Sequence, residues 1–155
     1  MQDKVNFLKQ KFLPLLRQVP ADRMPLWGTM TAQQMIEHLA HAIRLSSGRF
    51  SHTTLLTPSE KIPQMQAFLM SDKPFPQSTP NPFLQEGLPT TSKFFDLNDA
   101  INEVQSELDY YFGVIESNDE FQMLHPYFGE LNTEMNVQQL FKHVMHHLTQ
   151  FGVAI

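Results

Sequence analysis

The sequence contains no cysteine. This absence excludes disulfide bonds, thiolate metal sites and a cysteine nucleophile, so any metal must be held by nitrogen or oxygen ligands. A chain that needs no disulfides is compatible with a reducing compartment, and we expect a cytoplasmic protein.

Basic residues are also scarce, since 11 Lys and Arg stand against 16 Asp and Glu and leave a formal charge of −5. They are scattered, and no basic stripe is present that could hold a phosphate backbone. No apolar run approaches the roughly 20 residues of a membrane span, and the N-terminus lacks the apolar run of a signal peptide. We therefore expect a soluble protein that binds neither nucleic acid nor a membrane.

Strand patterns are missing too, because no segment alternates in hydrophobicity for long enough to predict a strand. Apolar residues instead recur at helical spacing in four segments. Pro14 predicts a kink or break near residue 13 in the first of them, because proline removes a backbone donor. The four segments are residues 2–19, 31–46 and 97–116, and a final helix capped by Asn132 or Thr133.

Two capping-box patterns start helices, Thr31 with Gln34 and Thr57 with Glu60. The second predicts a short helix that reaches about Met70. Residues 71–95 carry five prolines and predict neither helix nor strand. We therefore expect one all-α domain over residues 1–155, a four-helix bundle whose long Pro-rich crossover joins the second and third main helices.

The final helix carries the residues with the clearest chemical potential. At 100° per residue, His143 and His147 share one face, whereas His146 points roughly 80° or more away from them. Two imidazoles at positions i and i+4 can share a metal ion, with the helix fixing their separation. The spacing therefore predicts half of a metal site.

A third ligand must come from a facing helix, and among the other histidines His38 fits best because it borders the apolar stripe of the second helix. His41 is the second choice. His125 is predicted to lie in a structural turn, hydrogen-bonded to the backbone and outside the site, and His52 has no assigned role. Three neutral imidazoles suit zinc or nickel, with iron as a third candidate, and leave a position open for water or substrate. The carboxylates of Glu37 and Glu107 are candidates for orienting a ligand or moving a proton.

Three motifs resemble those of the DinB-like, or YfiT-like, metalloenzyme superfamily. The segment WGTMTAQQMIEHL at residues 27–39 looks like its first signature, and HVMHHLTQ at residues 143–150 looks like the second. The third motif is the turn HPYFGEL at residues 125–131. This turn and the ending KHVMHHLTQFG at residues 142–152, which contains the second signature, are most similar to a subgroup of unknown function.

The resemblance implies a four-helix bundle of up-down-down-up topology with a three-histidine metal site, which here falls on His38, His143 and His147. It also implies a homodimer, and related proteins include transferases of low-molecular-weight thiols. The hypothesis is a metal-dependent enzyme that activates water or a thiol against a small electrophilic substrate. The alternative is a non-catalytic helical module that binds a small apolar ligand or a partner protein.

Overall fold

The computed structural model describes residues 1–49, 54–77, 93 and 96–153, so His52 and most of the predicted crossover lie outside the described residues. The described part is mostly helical, with one small sheet. None of its helices is long and apolar enough to cross a membrane. In chain order the elements are α1 (Gln2–Gln10), α2 (Phe12–Leu16), α3 (Ala32–Ser46), a 3-10 turn (Ser59–Lys61), α4 (Ile62–Met70), α5 (Leu97–Ser117), β1 (Gln122–His125), β2 (Gly129–Asn132) and α6 (Thr133–Gln150).

The first helical segment is broken, as Pro14 predicts. Helix α1 ends at Gln10, and α2 begins at Phe12 after the non-helical Lys11. Proline has no backbone N–H, so the carbonyl of Gln10 loses the partner that an unbroken helix would supply. Both pieces still bury apolar side chains, because Leu8, Phe12 and Leu16 are fully buried.

Helix α3 begins with the predicted capping box. The Thr31 hydroxyl accepts a hydrogen bond from the Gln34 backbone N–H at 3.1 Å, and the Gln34 side chain accepts one from the Thr31 N–H at 3.0 Å. Two free amides at the helix start are thereby satisfied. The apolar face of α3 packs most extensively against α5, and apolar residues of both helices are buried, among them Leu39 and Ile43 of α3 and Val104 of α5.

The second predicted capping box is wrong. Pro58 precedes a 3-10 turn, no side-chain cap is formed there, and α4 begins only at Ile62. Pro63 explains the late start, because proline fits the first turn of a helix, where its missing N–H is not needed. The end of this helix at Met70 agrees with the prediction.

The expectation of no strand is also wrong, because the predicted turn before the last helix is a β-hairpin. Strands β1 and β2 pair antiparallel from Gln122 opposite Asn132 to His125 opposite Gly129. Strands of four residues are too short to give a clear alternating pattern. The hairpin leads directly into α6, whose first turn is capped by Asn132 through a hydrogen bond from the Met135 N–H at 3.0 Å. The start of the helix that carries the histidines is fixed in this way.

Candidate metal centre

The two histidines that the helical phase places together do lie together on α6. The Nε2 atoms of His143 and His147 are 3.0 Å apart, and the ring centroids are separated by 4.8 Å. His147 is buried, while His143 keeps partial exposure. One turn of helix therefore presents two ring nitrogens to the same point.

Helix α3 supplies the third imidazole. Nε2 of His38 lies 3.0 Å from Nε2 of His143, and the His38 ring is 4.9 Å from that of His147. One nitrogen from each of the three rings falls within 4.8 Å of the others, so this buried group could hold a metal ion. A tetrahedral ion with bonds of about 2.1 Å separates its ligand nitrogens by about 3.4 Å, a value that lies between the 3.0 Å of the two close pairs and the 4.8 Å limit of the whole group.

The central position of His143 creates a conflict that hydrogen bonds alone do not resolve. Its Nε2 lies 3.0 Å from the Nε2 of both neighbouring histidines. A nitrogen of a neutral imidazole offers either one proton or one lone pair, so it can complete a full hydrogen bond with only one of them. The two nitrogens of the other contact then lie 3.0 Å apart without a full hydrogen bond between them. A cation that accepts a lone pair from each ring would remove this conflict.

The protonation of His147 can be deduced from its neighbours. Its Nδ1 lies 2.8 Å from Oε1 of Gln150, and Nε2 of Gln150 donates to the backbone carbonyl of Trp27 at 2.9 Å. A carbonyl only accepts, so the amide nitrogen must face Trp27 and the amide oxygen must face His147. Nδ1 of His147 then carries the proton, and its Nε2 presents a lone pair to the other two rings.

All three rings are held in the neutral form. The pKa of His38 and that of His143 lie well below the ordinary value, first because burial disfavours the imidazolium and then because the other imidazoles lie close. Burial lowers the pKa of His147 to about 4, against the opposing effect of its hydrogen bond to Gln150. Neutral imidazole is the form that binds metals, so the site is ready to coordinate at neutral pH.

The other histidines that the structure describes contribute no nitrogen to this group of three. His146 packs edge-on against the rings of Trp27 and His147, with centroids 5.6 Å and 5.1 Å away. His41, the second choice for a ligand, is exposed on α3. His125 is buried at the end of β1, where Nδ1 accepts the Tyr127 backbone N–H at 3.1 Å, so its predicted structural hydrogen bond is confirmed.

The two carboxylates considered for proton transfer have other contacts. Glu107 is buried and ion-paired with Arg44 and Arg49, which joins α3 to α5. Glu37 accepts from the backbone N–H of Lys93 at 2.9 Å and so holds that residue against α3. Neither contact involves the three imidazoles.

Sequence reasoning missed two polar residues on α6. Gln150 follows His147 by three positions, a spacing that puts two side chains on one helix face and was the available signal. Lys142 is buried and donates to the carbonyls of Phe68, Leu69 and Ser71 at 3.0 to 3.1 Å, which satisfies the C-terminal end of α4. No local sequence pattern predicts this role of Lys142, because its partners lie about 70 residues away.

A scan against protein-family models, a comparison with curated proteins and a comparison with solved structures each give no match. The resemblance to the DinB-like superfamily therefore stays a prediction from the three sequence motifs. The case for a metal site rests instead on the convergence of His38, His143 and His147 in the folded chain.

Proposed function

We propose that His38, His143 and His147 bind one divalent metal ion and that the protein is a metal-dependent enzyme. The observation that carries this proposal is the position of His143 Nε2, 3.0 Å from the Nε2 atoms of both partners. Burial removes water from the three neutral imidazoles, and the hydrogen bonds that their converging nitrogens can form with one another do little to offset this cost. Coordination of one cation is the interaction that uses all three nitrogens.

The donor set favours zinc or nickel, with iron as the third candidate, because three imidazoles without thiolates suit these ions. When bound, the metal supplies acidification of a coordinated water or thiol near neutral pH, which suits hydrolysis or thiol transfer to a small electrophilic substrate. His147 lies on the buried side of the cluster. His143 keeps partial exposure, so the substrate would approach from its side.

The same proposal extends to the architecture. A single DinB-like domain with an up-down-down-up bundle would use the α1–α2 segment, α3, α5 and α6 as its four main helices. Two observations support it: α3 packs closely on α5, and the facing helices α3 and α6 contribute the site residues. A homodimer and a cytoplasmic location are further parts of this proposal that depend on the motif resemblance and on the absence of cysteine.

Metal binding is tested first with protein purified without a histidine tag. The wild type should bind one equivalent of Zn²⁺ or Ni²⁺, and a His143→Ala, His147→Ala double variant should bind none. His146→Ala is the matched control, because His146 lies between the pair in sequence and packs on the rings of Trp27 and His147, but contributes no nitrogen to the group of three. Equal metal content in the wild type and the double variant would refute the site.

Catalysis is tested next by screening thiol transfer and hydrolysis on model electrophiles. Turnover should depend on metal and should disappear in His38→Ala, while the exposed His41→Ala variant retains it. Folding of each variant is checked by circular dichroism. Metal binding without turnover on any substrate class would favour a structural metal and the non-catalytic alternative.

One observation favours that alternative. Met24 and Leu26 are 77% and 68% exposed, and both lie in the segment that leads to Trp27 beside the site. Exposed apolar side chains next to a buried cluster suit a module that binds a small apolar ligand. A fluorescent apolar probe whose binding is lost in Met24→Ser, Leu26→Ser, without any metal-dependent turnover, would support it.

A further inference from the structure

We propose that Gln150 is the positioning residue of this metal site, because it fixes the tautomer and ring orientation of His147 so that the Nε2 lone pair faces His38 and His143. This inference rests on the proposed metal-binding function. Groups that accept the second N–H of a ligating histidine orient the ring and increase its basicity. Gln150 would have this role without touching the metal.

The side-chain amide of Gln150 has a fixed orientation. Its nitrogen donates to the Trp27 carbonyl at 2.9 Å, and its oxygen lies 2.8 Å from His147 Nδ1. A flipped amide would set its nitrogen against the Nδ1 proton and its oxygen against a carbonyl, and so lose both hydrogen bonds. The carbonyl of Trp27 thereby determines, through Gln150, which nitrogen of His147 carries the proton.

Gln150 also has little freedom to move. It is 5% exposed, and its own backbone carbonyl accepts the Leu26 N–H at 2.7 Å. Gly28 passes close to its side chain, since a Cβ there would lie 3.0 Å from Gln150 Nε2, and its φ of +80° is one that residues with side chains rarely adopt. The segment around Trp27 is thus attached to Gln150 by backbone and side chain alike.

The paired histidines of α6 differ in the hydrogen bonds of their Nδ1 atoms. Nδ1 of His143 is buried and finds no hydrogen-bond partner in the described part of the chain. His147 is therefore the ring of the α6 pair with an orienting acceptor, and that acceptor is the side chain of Gln150. Loss of that side chain should weaken the whole site.

The test measures Zn²⁺ affinity by competition with a chelator for the wild type, Gln150→Leu and Gln150→Glu. Gln150→Leu should weaken binding by about 10- to 100-fold, the usual cost of losing an outer-shell partner. Gln150→Glu should recover part of the affinity, because one carboxylate oxygen still accepts the Nδ1 proton while the other loses the hydrogen bond to the Trp27 carbonyl. Gln138→Leu is the matched control, since Gln138 is a buried glutamine of α6 that donates to the Leu69 carbonyl at 2.9 Å.

A second readout follows the tautomer itself. In metal-free wild type, ¹⁵N NMR of the imidazoles should show His147 protonated at Nδ1, and Gln150→Leu should shift it towards a mixture of tautomers. A wild-type His147 protonated at Nε2 would overturn the inference even if the leucine variant does not fold. Equal losses of affinity in Gln150→Leu and Gln138→Leu would also overturn it, as a general structural effect.

Failure of the inference can be told apart from failure of the proposed function. If the wild type binds no Zn²⁺, the metal site itself is wrong. If it binds Zn²⁺ and Gln150→Leu binds equally well, the site stands and the positioning role is wrong.

Discussion

Arg44 and His38 lie on the same helix, less than two turns apart, yet they belong to polar clusters of different kinds. Arg44 joins Arg49 in holding Glu107, whose side chain is 3% exposed and accepts from Arg44 Nε at 2.9 Å and Arg49 Nη1 at 3.1 Å. Opposite charges meet there, and the carboxylate is saturated with donors. The arrangement is complete as it stands and joins α3 to α5.

The cluster around His38 contains no opposite charges and too few hydrogen-bond donors for its nitrogens. Three rings of the same kind are brought together, burial keeps them neutral, and their nitrogens compete for too few protons. A polar group buried without adequate partners costs free energy of folding. Apolar residues at these positions would therefore stabilise the fold better than three imidazoles do. A polar cluster that is complete in itself thus differs from one that could hold a metal ion.

Acid should destabilise the fold through the histidine cluster, and this is the largest effect that we predict. The His147 pKa falls from 6.5 in the unfolded chain to about 4 in the fold, so the unfolded state binds more protons between these values. Stability of chelator-treated protein should be retained above pH 6.5 and lost as the pH falls towards 4, with His147 alone contributing on the order of 3 kcal/mol. Urea unfolding across this range measures the loss.

The control for this prediction is His147→Gln, whose free energy of unfolding should depend less steeply on pH. Bound Zn²⁺ should protect the wild type until protons displace it from the imidazoles. A metal-free wild type with unchanged stability from pH 6.5 to 4 would contradict the account of the buried neutral rings.

A substitution in the ion-paired cluster should lower the stability of the fold without changing its affinity for metal. Breaking a fully buried ion pair costs about 3–5 kcal/mol, and the partial exposure of both arginines reduces the expected loss for Glu107→Gln to about 2–3 kcal/mol. Denaturant unfolding measures this loss, and Zn²⁺ affinity should not change. Glu103→Gln, at a more exposed partner of Arg44, should cost less. A marked loss of metal affinity in Glu107→Gln would contradict the separation of the two clusters.

The smallest effect is expected at Tyr111, which donates to Asn136 at 3.1 Å, while Asn136 donates to the Ser46 carbonyl at 2.9 Å. Tyr111→Phe removes one buried hydrogen bond and should cost about 1 kcal/mol in thermal or urea unfolding. Tyr110→Phe, at the exposed neighbouring position, should cost nearly nothing. Equal stability of the two variants would show that the buried network contributes little.

Local features of the fold were predictable from the sequence. The Thr31 cap, the break before Pro14 and the shared face of His143 and His147 depend on neighbours within a few residues, where helical geometry determines the outcome. The β-hairpin was missed because each strand is too short to show a period, and the start of α4 because Pro63 competes with the upstream cap pattern.

Long-range features were only partly predictable. The position of His38 at the border of an apolar stripe favoured it as a site residue, and the structure brings it beside the pair, although its role as a ligand stays a prediction. The contacts of Gln150 with Trp27 and of Glu107 with two arginines depend on how helices and loops pack. No periodicity in the sequence encodes such pairings.

X-ray absorption at the zinc edge tests the central claim most directly. Zinc-loaded, tag-free wild type should show one metal per chain with three imidazole nitrogens at about 2.0–2.1 Å, and His38→Ala should show two. The same spectrum in both proteins, or no bound zinc in the wild type, would contradict a metal centre built from His38, His143 and His147.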